Sequence, residues 1–263
     1  MYYLFRLLSK IIYLLNNQLT HFMKRFIIAS LISISIISCN YAQQPANANS
    51  ELPGKAISYQ DWKKEAETNI RLSPKFGNAV KSESQKQADR KFIDDCLKQH
   101  GDHHKASEEV VKLGFDYLYK GDLKTAMYRF NQAWLLEPKN ENAFWGFSAV
   151  YFTLGDHEKA MEQLNEGLVL NPNSSNLLTD KATIYYAKYP ANNDSKDLST
   201  AIDLLNQSYK IDPANQNTVF KLSVVYFMKQ DCKNALKYYN ECKSLGGRPI
   251  TKDYTEALKK LCP

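Results

Sequence analysis

Eight residues of this chain recur at a spacing of 34. Val110, Leu113, Gly114, Tyr117, Ala126, Phe130, Ala133 and Pro138 are followed in the same order of size by Phe144, Phe147, Ser148, Tyr151, Ala160, Leu164, Gly167 and Pro172. The spacings within each set describe two antiparallel helices. Val110, Leu113 and Tyr117 fall three and four apart, on one helical face, and Gly114 lets a second helix approach closely. Ala126, Phe130 and Ala133 alternate small and large side chains, as interlocking helices require, and Pro138 ends the second helix. Gly121-Asp122 and Gly155-Asp156 make the turns, each Asp placed to cap the helix that follows.

In this pattern the chain resembles the tetratricopeptide repeat family, whose 34-residue unit carries these residue types at these offsets. Two further copies follow. The third runs Leu178, Ala182, Tyr185, Ala201, Leu205, Ser208 and Pro213, and is seven residues longer because 188–195 inserts in its turn, where a longer loop is expected. The fourth runs Val219, Leu222, Ser223, Tyr226, Ala235, Tyr239 and Cys242, with Gly246-Gly247 in place of the closing Pro. Lys181 stands where the family usually has an apolar residue. The resemblance implies an all-α fold, a right-handed superhelix of α-α hairpins, over four repeats and a final helix in 105–263. That last helix, 251–261, has Tyr254, Ala257, Leu258 and Leu261 on one side and Lys252, Glu256, Lys259 and Lys260 on the other, as a cap on the open end of a stack should.

Ahead of the repeats, 58–104 reads as a non-repeat helical pair that caps the front of the stack or folds across it. Tyr59, Trp62, Ala66 and Ile70 form one stripe, 73–78 breaks it, and 82–99 is a second helix with Ala88, Phe92 and Cys96 on a face. Residues 43–57 are a polar linker rich in Gln, Asn, Pro and Ala, and 1–42 is a targeting segment. Lys24 and Arg25 precede the thirteen uncharged residues 26–38, the layout of a secretory signal and short of the roughly 20 apolar residues that span a bilayer. Met23 is then the expected start, with an upstream anchor over 1–22 as the rival reading. Ile36-Ile37-Ser38-Cys39 resembles the lipobox of bacterial lipoproteins, which makes Cys39 the expected lipidation site; cleavage after Asn40-Tyr41-Ala42 is the alternative. Both readings place the protein outside the cytoplasm, in the periplasm or cell envelope, and the first ties it to the outer membrane by its lipid alone.

The net charge of +6 is mostly targeting sequence. Arg6, Lys10, Lys24 and Arg25 all precede Cys39 and no acidic residue does, so removing these four from 34 leaves 30 basic residues against 28 acidic, a charge of +2. Nucleic-acid binding would call for a clustered basic excess, and none is present.

Four cysteines follow Cys39. Cys232 and Cys242 sit ten residues apart on one helix, about 15 Å, too far to bridge. An antiparallel capping helix would bring Cys262 beside Cys232, which is the expected disulfide. Cys242 takes the repeat's small packing position, and Cys96 is left as a buried thiol.

Chemistry is sparse. His100, Asp102, His103 and His104 lie close in sequence but lack the regular spacing of a metal site, and read as an interhelical loop with Asp102 as a cap. No nucleophile-base arrangement, phosphate loop or paired-carboxylate motif appears, so the sequence points away from an enzyme, whose site would have to lie in 58–104 as a third reading, and calls for no cofactor or metal. What the resemblance implies is a concave face built from the first helices, on which Phe115, Tyr119, Asn142, Trp145, Phe152, Asn176, Tyr186, Asn217, Phe220 and Phe227 take the partner-binding places. Members that clamp a peptide's terminal carboxylate use Lys and Asn where this chain has Val111 and Phe115. The expected partner is therefore a protein or peptide, either an apolar segment or an amphipathic helix lying on rings. An apolar face of that size asks to be covered. Its alternative occupants are the chain's own segment 58–99, with Trp62 or Phe92 inserted, or a second copy, which would make the protein a structural or oligomeric scaffold.

Overall fold

The computed structural model describes residues 57–192 and 195–262. The targeting segment with Met23 and Cys39, almost all of the linker, and Asn193 and Asp194 of the insertion lie outside the described residues. Among the described residues every regular element is helical: α1 (Tyr59–Ala66), α2 (Glu83–His100), α3 (His103–Tyr119), α4 (Leu123–Leu136), α5 (Glu141–Thr153), α6 (His157–Leu170), α7 (Ser175–Asn192), α8 (Ser195–Ile211), α9 (Gln216–Met228), α10 (Cys232–Ser244) and α11 (Lys252–Leu261), with two 3-10 turns, Ile70–Leu72 and Pro74–Asn78. Helix starts follow the sequence. Asp122, Asn140, Asn215 and Asp231 each accept a backbone N–H of the first turn that would otherwise have no partner.

Packing follows chain order: α3 on α4, α4 on α5, α7 on α8, α8 on α9, α9 on α10. First helices also touch first helices, α3 with α5 and α7 with α9. That is the arrangement of stacked hairpins. The chain forms two compact units, one ending at Gln163 and the other taken up at Leu164, so the division falls within α6.

In the unit that ends at Gln163, Phe130 of α4 is fully buried between Gly114 of α3 and Gly146 of α5. A methyl group at either glycine would overlap the Phe130 ring. A polar staple runs beside it. Asn140 Nδ2 donates to Ser107 Oγ and Glu108 Oε1, both at 2.8 Å, and Ser107 Oγ donates to the Ala133 carbonyl at 2.9 Å.

Residues 57–78 settle on α4, the second helix of the first hairpin. The amide of fully buried Asn131 holds them: its Oδ1 accepts the Phe76 N–H at 3.0 Å, and its Nδ2 donates to the carbonyls of Arg71 at 2.9 Å and Ser73 at 3.0 Å. Asn69 Nδ2 donates to the Tyr128 hydroxyl, and Lys124 pairs with Glu65. Trp62 and Leu72 are buried in the process. The residues that follow Trp62, from Glu65 to Phe76, are thus tied to the second helix of the hairpin, away from the first helix whose face Trp62 was one candidate to fill. The first helix is also shorter than its apolar stripe; it ends at Ala66, and Ile70 opens a 3-10 turn. In the break that follows, Lys75, Phe76, Gly77 and Asn78 all take left-handed backbone angles, with φ of 56°, 54°, 63° and 54°. Ser82 starts α2 with a capping box to Gln85, and Phe92 and Cys96 on α2 are buried where it meets α3.

In the unit that begins at Leu164, the insertion is absorbed differently from the expected loop. It lengthens both flanking helices: α7 has 18 residues where α5 has 13, and α8 has 17 where α6 has 14. Extended helix satisfies its own backbone groups, which a loop would leave to water. Lys181, the departure from the family pattern, donates to Asn165 Oδ1 at 2.8 Å. Between the hairpins lies a knot of buried hydroxyls. Ser208 Oγ is 2.8 Å from Thr179 Oγ1 and 2.9 Å from Thr218 Oγ1, and the two threonines are 2.7 Å apart. Asn215 Nδ2 donates to Ser175 Oγ and Asn176 Oδ1, repeating the staple of Asn140.

At the chain's end, Cys232 and Cys262 are joined by a disulfide, Cα to Cα 5.2 Å. Tyr254 of α11 is buried against the edges of Phe220 and Phe227, ring centroids 5.3 and 5.7 Å away. Ser223 donates its proton to the Ala235 carbonyl at 2.8 Å, so at 2.6 Å the Tyr254 hydroxyl is the donor to Ser223 Oγ. Cys96 and Cys242 are buried outside the disulfide, and burial pushes the Cys242 thiol up to about 11.

Candidate partner-binding face

Each first helix places its fifth, ninth, twelfth and thirteenth residues along one stripe, and in the unit ending at Gln163 four of those eight places carry rings. Phe115 and Tyr119 lie one turn apart on α3 with centroids 6.1 Å apart, and Trp145 on α5 closes on Phe115 at 4.3 Å. Phe152, two turns along α5 from Trp145, stacks on His157 at 5.0 Å and 17°. Phe115, Trp145 and Phe152 are partly exposed, and Tyr119 is 46% exposed. Phe115 also meets Phe130 edge-on at 5.1 Å, so the core wedge supports the stripe from behind. The stripe therefore offers flat apolar area on rigid helices, with ring faces that favour edge-on aromatic contacts.

Two of the three asparagines of the expected face have structural employment. Asn142 Nδ2 donates to Glu108 Oε1 at 2.9 Å, across the step between hairpins, and its own backbone N–H is capped by Asn140. Asn176 Oδ1 accepts from Asn215. Asn217 is exposed, and its N–H is capped by Asn215.

In the unit that begins at Leu164 the picture changes. Tyr186 remains partly exposed, beside the Lys221–Asp180 pair at 2.8 Å. Phe220 and Phe227, expected on an open face, are each only 7% exposed because Tyr254 covers them. The capping helix claims the last repeat's rings for the fold.

The histidine run is taken apart by helix formation. Asp102 caps α3 by accepting the Lys105 N–H at 2.8 Å, His103 Nδ1 donates to the Leu136 carbonyl at 2.8 Å, and His104 Nδ1 pairs with Glu137 Oε2 at 2.8 Å. The Glu137 carboxylate beside it holds the His104 imidazole above its ordinary value. Among the described residues no three His, Cys, Asp or Glu side chains are grouped to hold a metal ion. A shallow cleft of about 260 Å³ opens between α1 and the α5–α6 turn, lined by Tyr59, Trp62, Lys63, Tyr151 and Lys159. The Tyr59 hydroxyl donates to Asp156 there, and burial pushes Tyr151 up to about 12.

Three residues that shape the face escaped the sequence reading. Asn131 sits between core positions with no periodic signal. Asn140 reads as an ordinary cap. Gly146 did leave a signal: it is the lone glycine amid Phe144, Trp145, Phe147, Val150 and Tyr151, which marks a close approach.

A tetratricopeptide repeat family model matches residues 117–182. Among solved structures, TTC0263, a thermophilic TPR protein of Thermus thermophilus, is 18% identical with a TM-score of 0.50, over 59% of this chain and 80% of that one. The Pseudomonas aeruginosa protein pilF is 18% identical with a TM-score of 0.47, over 54% of this chain and 62% of its own, so this chain spans less than two thirds of it. YrrB, described as a TPR protein with an unusual peptide-binding site, is 20% identical with a TM-score of 0.41, over 75% of this chain and 97% of that one. Among curated proteins none matches the chain. At such identities the likeness to TTC0263 is one of fold.

Proposed function

We propose that this chain, which carries tetratricopeptide repeats, is a protein-interaction module that holds an apolar peptide or one face of an amphipathic helix against Phe115, Tyr119, Trp145 and Phe152. The observation that carries the reading is the partly exposed aromatic stripe on α3 and α5, backed by a packed core. Rings of this kind bury large area at small entropic cost, and a few such anchors supply most of the affinity of a contact. The reading assigns no bond made or broken. The Lys and Asn pair of carboxylate-clamping relatives is replaced by Val111 and Phe115, so the partner's side chains, rather than its terminus, make the contact.

The expected place of action is the periplasm or cell envelope, with Cys39 as a lipidated first residue that anchors the chain to the outer membrane and 43–57 as the tether. Mass spectrometry of the mature amino terminus tests that part: a diacylglyceryl cysteine at position 39 supports the anchor, and a start at Gln43 replaces it with soluble export.

The binding part is tested with a displayed library of helical and extended peptides selected on the exported domain. Trp145→Ala and Phe115→Ala are expected to weaken the selected ligands about tenfold or more each, in line with aromatic anchors worth about 1.4 kcal/mol or more, at unchanged helical content. Equal affinity in both variants defeats the reading.

A further inference from the structure

α11 is ten residues long, a length at which a helix in water is marginal without support. What fixes it is the surface beneath it and the tie at its far end. Tyr254, Ala257 and Leu258 are buried, the Tyr254 ring lies on Phe220, Phe227 and Tyr239, and its hydroxyl reaches Ser223. Its near end leaves α10 through Gly246 and Gly247, both at positive φ, 116° and 64°. Two adjacent glycines in that region allow the chain to redirect there at little steric cost. The far end is bound covalently, Cys262 to Cys232.

We propose that this disulfide is a redox latch: a dithiol reductant releases α11, which swings on Gly246-Gly247 and uncovers the rings of Phe220, Phe227 and Tyr239. In the first step a thiolate of the reductant attacks Sγ of Cys232, the partly exposed member of the pair, and Cys262 leaves as a thiolate. The reductant's second thiol then attacks the mixed disulfide and frees Cys232. The reductant ends as its own disulfide, two electrons pass to the protein, and two protons convert the released thiolates to thiols. Cys242 does not enter the exchange. It lies ten residues along α10 from Cys232, is fully buried, and its thiol stays protonated.

The test is hydrogen exchange on the full chain, oxidised and after dithiothreitol, with reduction verified by a mass gain of two hydrogens. The amides of α11 are expected to exchange about tenfold faster or more once reduced, while those of α9 and α10 keep their rates, and an apolar-surface dye is expected to bind only the reduced form. The double variant Cys232→Ser/Cys262→Ser, examined without reductant, is expected to match the reduced protein. Unchanged α11 exchange in either sample overturns the latch. So does a joint loss of protection across α9, α10 and α11, which would make the tie a part of the core.

Discussion

Phe130 touches two hairpins at once, and the cost of that contact is a pair of glycines. Enlarging either glycine forces the ring out of its place, and overpacking of this kind destabilises by about 1–3 kcal/mol. Gly146→Ala is therefore expected to lower stability by that amount, read as a fall in the midpoint of urea unfolding at constant slope. A gentler effect attaches to His104, whose ionised form is held by Glu137. Its folded value lies above its ordinary 6.5, so the stabilisation is complete below that pH and fades as pH rises through the folded value. With 65% of the imidazole exposed, the effect should stay under about 1 kcal/mol. Stability curves at pH 5.5 and 8.5 should converge in Glu137→Gln. At this scale the sequence was legible wherever size repeats, as at Ala126, Phe130 and Ala133. It was silent where a single polar side chain meets a distant backbone, because Asn131 and its partners are separated by some 55 to 60 residues and share no pattern.

Helices are the scale at which periodicity works best, and α2 to α6 lie where spacing and caps put them. The discrepancies have local causes. Ile70 fits the stripe of α1 but is taken by a 3-10 turn, since the chain must reverse there to deliver Arg71 and Ser73 to Asn131. The insertion in the third repeat lacks a glycine and is spent on longer helices. The consequence for 57–78 is testable. Asn131→Ala removes three hydrogen bonds and leaves buried backbone groups unpaired, at about 1–3 kcal/mol for each group stranded. Limited proteolysis should then cut within 67–82 at least about tenfold faster, with α7 to α10 intact; equal cutting of the two proteins would show that the amide holds nothing.

Within each unit, contacts run between successive helices and from one hairpin to the next, so a local injury should stay local. In the Gly146→Ala protein, exchange of α4 and α5 amides should accelerate while α9 and α10 keep their protection, and uniform acceleration would reveal a single cooperative block. The repeat order, the capping helix and the front helical pair were legible from residue spacing. Which rings remain open was not, since Phe220 and Trp145 occupy the same place in their repeats and differ only in what the chain folds over them.

The hydroxyl knot of Ser208, Thr179 and Thr218 carries a further corollary. Thr218 Oγ1 reaches across that seam to Thr179 and Ser208 of the preceding hairpin, whereas at the earlier junction a benzene ring packs against bare backbone. The modules are consequently not interchangeable bricks: transplanting one into another's slot would strand polar oxygens or collide with Phe130, so the lineup of these repeats is written into their seams.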